Sequence, residues 1–257
     1  MTDRIVGLGS GFWTVRGDYR IAGVLNVGTQ MALIEIEPGR FIALDSYRPA
    51  GSAFEKMMQL TDGGSAVEAV LNLHPYHTDY CSQAARLFPR ARFYGTARHL
   101  SRCPDVQWQS ATVDQPIVWA HYADHIEFTV PDGVDLVTQS PHVHFGSVLA
   151  FHRASGTVHV DDTFSTGMLP SALSWLDRGP PLRLHPTLGG ALRKERGAAA
   201  RFRSWMRETG ERWKEARQVC AAHNGIVEMA PGGFPGHVSA ALNHVAKTLA
   251  RHERRYG

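Results

Sequence analysis

The stretch Leu73-His74-Pro75-Tyr76-His77-Thr78-Asp79-Tyr80 closes a strongly apolar run, Val67-Glu-Ala-Val-Leu-Asn-Leu73, and decides how the rest of the chain is read. The run predicts a buried strand, and the residues after it put two imidazoles and a carboxylate on the loop at its end. Strand-end loops hold side chains on a rigid support yet leave them open to solvent, which a catalytic metal with a vacant position requires. Imidazole is the commonest side-chain metal ligand, and 14 of the 257 residues are histidine.

Other segments repeat this arrangement. Pro141-His-Val-His-Phe-Gly-Ser147 puts His142 and His144 at i, i+2, on one face of an extended chain ahead of Ser147-Val-Leu-Ala-Phe151, a predicted strand. Val158-His-Val-Asp-Asp162 ends the next strand, Thr157-Val-His-Val160, in two carboxylates. Val219-Cys-Ala-Ala-His223-Asn-Gly225 delivers a further histidine where a helix is expected to give way to a strand. Histidines 152, 159, 185 and 237 read as structural or solvated residues.

Around these segments the pattern is mixed α/β. Met31-Ala-Leu-Ile-Glu-Ile36 and Phe41-Ile-Ala-Leu44 flank Glu37-Pro38-Gly39-Arg40 and predict a hairpin. Ser52-Ala-Phe-Glu55 matches a capping box and opens a short helix that Gly63-Gly64 ends. A helix over 81–88, stopped by Pro89, precedes a strand at Arg92-Phe-Tyr94. Strands are expected at 134–137 and 225–229, and helices over 198–221 and 238–254; the first of these carries Phe202, Trp205, Met206, Trp213, Ala216 and Cys220 at helical spacing. Gly7-Leu-Gly-Ser-Gly11 lacks the spacing and the preceding strand of a phosphate loop, and no G-x-S-x-G elbow accompanies the histidines.

Composition narrows the class. With 43% hydrophobic and 20% charged residues the chain is globular, and at this length it can bury about 70% of its unfolded surface without staples. Three cysteines without C-x-x-C spacing argue against a disulfide framework and a cysteine zinc site, and fit a cytoplasmic setting. Neither a membrane span nor an export signal is expected. The net charge of +3, with nine Lys/Arg against four Glu over 193–217, is a weak basic bias and not a nucleic-acid signature.

The order of these segments resembles the metallo-β-lactamase superfamily of hydrolases, over roughly residues 20–230. Ile42-Ala-Leu-Asp45 is similar to the family's first apolar-Asp element, His77-Thr-Asp79 to the middle of its His-x-His-x-Asp-His motif, and His142 or His144 before Gly146-Ser147 to its third element. Asp161-Asp162-Thr163-Phe164 and His223-Asn-Gly225 resemble the last two. Pro75 stands where the family's first histidine belongs, with His74 displaced by one residue, and Tyr80 stands where a second-site histidine belongs.

The resemblance implies a single α/β domain over 1–257, a four-layer αββα sandwich with 240–257 as a C-terminal helix. It implies one or two zinc ions, with iron as the alternative metal, and His74, His77, Asp79, His142, His144, Asp162 and His223 as candidate ligands. Asp79 and Tyr80 are the candidate catalytic residues, while Asp45 supports the loop. The implied activity is hydrolysis of a small-molecule ester, thioester, lactone or amide through metal-activated water. The rival reading is a metal-free relative that binds a partner or serves a structural role. No partner macromolecule or oligomeric state is implied.

Overall fold

The computed structural model describes residues 3–21, 25–166, 179–223 and 225–257. It divides into two compact units, Met1–Glu127 and Phe128–Gly257.

The first unit is built on β1 (Arg4–Gly7), β2 (Phe12–Gly17), β5 (Thr29–Glu37), β6 (Arg40–Leu44), β7 (Val67–Leu71) and β8 (Arg92–Tyr94), which form one sheet in the order β1-β2-β5-β6-β7-β8. A small hairpin, β3 (Arg20–Ile21) and β4 (Leu25–Asn26), follows β2. The expected β5–β6 hairpin forms through Pro38 and Gly39, where Gly39 takes the left-handed φ of 73° that the turn requires. Helix α1 (Gly51–Leu60) then carries the chain to β7, and α2 (Cys81–Leu87) carries it to β8; α3 (Ala97–Arg102) and α4 (Pro116–Ala120) follow. Strands β6, β7 and β8 are mutually parallel, with Leu44, Leu71 and Tyr94 in register. Their carboxyl ends, and the loops leaving them, therefore lie side by side, the usual location of ligand sites in such sheets. Val15, Met31, Leu33, Met57, Val70, Cys81, Phe88 and Phe93 form this unit's core.

The second sheet runs β15-β14-β11-β10-β9, from β9 (Ile126–Thr129), β10 (Leu149–His152), β11 (Thr157–Val160), β14 (Gln218–Ala221) and β15 (Gly225–Glu228). A two-stranded ribbon, β12 (Phe164–Thr166) and β13 (Leu182–Leu184), leaves the end of β11. Helices α5 (Leu188–Ala191), α6 (Ala198–Arg212), α7 (Phe234–His244) and α8 (Ala246–Tyr256) belong to this unit. Its core gathers Phe145, Phe151, Phe202, Met206, Trp213, Val219 and Phe234, with Trp213 stacked on Phe151 at 5.5 Å.

Four local expectations are corrected. The helix expected over 198–221 ends at Arg212, and Val219 and Cys220, which continue its spacing, lie on β14, paired parallel to β11. A short apolar run serves either period, and here the ladder to β11 decides. The final helix is two, since Val245 leaves helical geometry after His244. Val134-Asp-Leu-Val137 makes only an isolated bridge, Val134 to Leu192. Ser52 does not cap α1: the cap is Ala50, and Gly51, with φ of 56°, makes the sharp entry that puts Ser52 inside the first turn. Among the described residues no helix is long and apolar enough to cross a membrane.

Candidate metal centre

In the first unit, Asp45 leaves β6 at a left-handed φ of 61°, held there because its carboxylate accepts the Leu73 N–H at 2.7 Å while its own N–H reaches the Leu71 carbonyl. This latch ties the end of β6 to the start of the 73–80 loop. His74 is fully buried, and its ring lies 4.3 Å from that of His77. Nδ1 of His74 accepts the Tyr76 N–H at 3.3 Å, which commits that nitrogen's lone pair and puts the ring proton on Nε2. His74 and His77 each offer a possible ligand atom, and these lie within 4.8 Å of one another. Pro75 is buried beside it.

Asp79 is exposed and accepts a hydrogen bond from the Tyr19 hydroxyl at 3.0 Å. Tyr19 was not legible as a site neighbour, because 60 residues separate it from Asp79 and nothing in the 17–20 segment marks it. Tyr80 packs edge-on against Tyr47, 4.9 Å between ring centroids. Burial, then the charges of Asp79 and Asp3, push its phenol above the ordinary value. The thiols beside this loop are inert: burial raises both Cys81 and Cys103.

The second unit gathers its groups by register. Strands β11 and β14 are parallel with Val160 opposite Ala221, so the residues just beyond them, Asp162 and His223, leave at the same end of the sheet. The antiparallel strand β10 begins at that end, and His144 precedes it. One hydroxyl fixes the approach: Thr163 Oγ1 donates to the Phe145 carbonyl at 3.0 Å, accepts the Ser147 N–H at 3.3 Å and lies 2.9 Å from the Ser147 hydroxyl. Gly146 sits inside this clamp because a Cβ there would lie 2.8 Å from the Leu136 Cα, a backbone atom that cannot yield. His223 is anchored through its carbonyl, which accepts from the Thr166 hydroxyl at 3.3 Å.

These constraints converge on the Asp162 carboxylate, whose side chain is only 1% exposed. His223 Nε2 lies 2.9 Å from Oδ1 and His144 Nδ1 lies 3.5 Å from Oδ2, so each oxygen faces its own imidazole. The His223 contact is close without being aligned as a hydrogen bond. Two nitrogens and a carboxylate brought together in this way suit a borderline divalent ion such as zinc or iron. The His144 side chain is 41% exposed, which leaves the cluster an open side. His142 is not brought to it: its side chain is solvent-facing and its N–H reaches the Ser140 hydroxyl. Asp161 is buried next to Asp162 in the chain. Asn224, beside His223, lies outside the described residues.

A third imidazole lies beside this cluster, from a histidine that the sequence reads as structural or solvated. His185 follows β13, and because Leu184 pairs with Phe164, it comes opposite Thr163, next to Asp162. Its ring lies nearly parallel to that of His144, 6.4 Å away. Burial depresses its basicity while Asp162 opposes the shift, so the ring is neutral near pH 7. The signal was present in Leu184-His-Pro186, again a histidine just past an apolar strand.

No family model matches the chain, and no curated protein does. Solved structures do. DIM-1 metallo-β-lactamase exposed to ceftazidime matches at 14% identity over 95% of this chain and 98% of that one, with a TM-score of 0.60. A metallo-β-lactamase from Erythrobacter litoralis, with β-mercaptoethanol in its active site, matches at 11% identity over 94% and 96%, with a TM-score of 0.61. FIM-1 from Pseudomonas aeruginosa, in a mono-zinc form, matches at 10% identity over 97% of both chains, with a TM-score of 0.60. At such low identity the likeness extends to the architecture alone, and on that architecture, with its mixed α/β layers matched along nearly the whole length, the chain has the metallo-β-lactamase fold.

Proposed function

We propose that this chain is a metal-dependent hydrolase whose principal ion is held by His144, Asp162 and His223. The observation that carries the reading is the buried Asp162 carboxylate with an imidazole against each oxygen. Once bound, such an ion lowers the pKa of a water toward neutrality and polarises a carbonyl oxygen.

The chain's own residues then have separate tasks. Asp162 supplies charge from a dry position, and the Thr163 clamp holds the His144 segment beside it. His223 is oriented through its own backbone. The open side at His144 is where a small ester, thioester, lactone or amide is expected to approach. His74, His77 and Asp79 remain candidate ligands of the first unit, with Tyr80 beside them as a protonated phenol. Because Tyr80 stands where a second-site histidine is expected, a single principal ion is the favoured form, with zinc first and iron second.

The test is elemental analysis of the purified protein and of its Asp162→Ala variant, followed by turnover on a panel of esters, thioesters, lactones and amides. About one equivalent of metal in the wild type, lost together with turnover in the variant, supports the reading. A metal-free wild type that takes up no zinc or iron on dialysis, and that melts at the same temperature with and without chelator, supports the rival reading of a binding or structural protein.

A further inference from the structure

We propose that His185 is a catalytic hydrogen-bond donor, presenting Nε2–H to the carbonyl oxygen of the substrate as negative charge develops there; this rests on the hydrolase reading above. The tautomer follows from the local chain. Nδ1 of His185 lies 2.8 Å from the Thr187 hydroxyl and accepts the Thr187 backbone N–H at 3.4 Å. A backbone N–H can only donate, so Nδ1 offers its lone pair and the ring proton sits on Nε2. Among the described residues, the hydrogen bonds of this ring all fall on the Nδ1 side.

Position supports the same role. The β12–β13 register brings His185 next to the Asp162 cluster, and its ring runs nearly parallel to that of His144. A ring with its proton on Nε2 and its Nδ1 already engaged is not a metal ligand; it is a neutral donor beside one. A donor held in place before the reaction stabilises a developing oxyanion without reorganising, and removing one such donor costs about 10²- to 10³-fold in kcat.

The experiment compares wild type, His185→Leu and His185→Gln, with folding checked by circular dichroism. Metal content is expected to be unchanged in both variants. His185→Leu should lose about 10²-fold in kcat, and His185→Gln, which keeps an N–H donor, should recover part of that loss. Metal lost from either variant makes His185 a ligand and overturns the proposal, as does full turnover in His185→Leu. A second readout needs no turnover. The ¹⁵N shifts of the His185 ring, assigned by their disappearance in His185→Gln, should show a protonated Nε2 and an unprotonated Nδ1; the reverse tautomer overturns the proposal. A wild type without metal or hydrolysis sinks the hydrolase reading and the catalytic role with it, while an active, metal-loaded wild type with an indifferent His185→Leu sinks the His185 proposal alone.

Discussion

The 73–80 loop of the first unit and the strand ends of the second use the same residue types differently. In the loop, His74, His77 and Asp79 are close in sequence, and neighbours engage some of its residues: Tyr76 donates to Nδ1 of His74, Tyr19 bonds Asp79, and Tyr47 packs on the ring of Tyr80. In the second unit, His144, Asp162, His185 and His223 come from separate segments, yet the parallel β11–β14 register and the β12–β13 ribbon assemble them around one buried carboxylate. One region presents its possible ligands from a single loop, where His74 and His77 offer ligand atoms within 4.8 Å of one another, and the other presents them through strand register.

The comparison breaks first at Asp162. Asp162→Ala should remove bound metal and lower turnover by more than the roughly 10- to 100-fold that loss of a supporting partner costs, while His77→Ala should weaken metal binding less. Equal losses, measured by elemental analysis and kcat on the same substrate, would show that the two regions contribute alike.

Acid provides the next test, through a histidine of the first unit that is not a candidate ligand but interacts with the His77 backbone. His99 is buried, and its Nδ1 accepts the Thr96 N–H at 3.1 Å in a capping box at the start of α3. Burial depresses its pKa to about 4 from 6.5. The unfolded chain therefore takes up this proton first as pH falls, so the stability contributed by neutral His99 is complete above pH 6.5 and is lost progressively toward pH 4, by roughly 3 kcal/mol in all. His99→Gln keeps a capping acceptor without a titrating group, and urea midpoints measured from pH 7 to 4 should fall more steeply in wild type than in the variant. Parallel curves would contradict this assignment.

Thr163→Val tests the clamp of the second unit. It leaves the Ser147 N–H and the Phe145 carbonyl without the Thr163 hydroxyl, a cost of about 1–3 kcal/mol, and it should lower metal affinity about 10-fold through the His144 segment. Unfolding curves and a competition titration with a chelating dye check both. The smallest effect is expected at Tyr19→Phe. The bond lost to Asp79 is exposed, so stability should change by about 0.5 kcal/mol or less, and metal content should not change.

Much of the fold was legible where apolar runs end at turn residues: the 31–36 and 41–44 hairpin, the strand at 92–94 and the strand at 157–160 all form where the sequence puts them. Periodicity failed where a helix and a strand share one apolar spacing, as at Val219 and Cys220, whose partner on β11 is 61 residues away in the chain. The candidate site divides in the same way. Asp162, His144 and His223 were legible because each flanks a strand. His185 was read as structural or solvated, because its strand is only three residues long and its place beside Asp162 depends on pairing with Phe164. The tautomers of His74 and His185 depend on single backbone N–H groups, which no residue pattern reports.

The central claim is that the Asp162 carboxylate and its two imidazoles hold an ion. Its most direct test is the metal content of untagged wild-type protein after dialysis against zinc, read beside Asp162→Ala treated identically. The account predicts about one equivalent in the wild type and almost none in the variant. Equal zinc in both, or none in either, would contradict it.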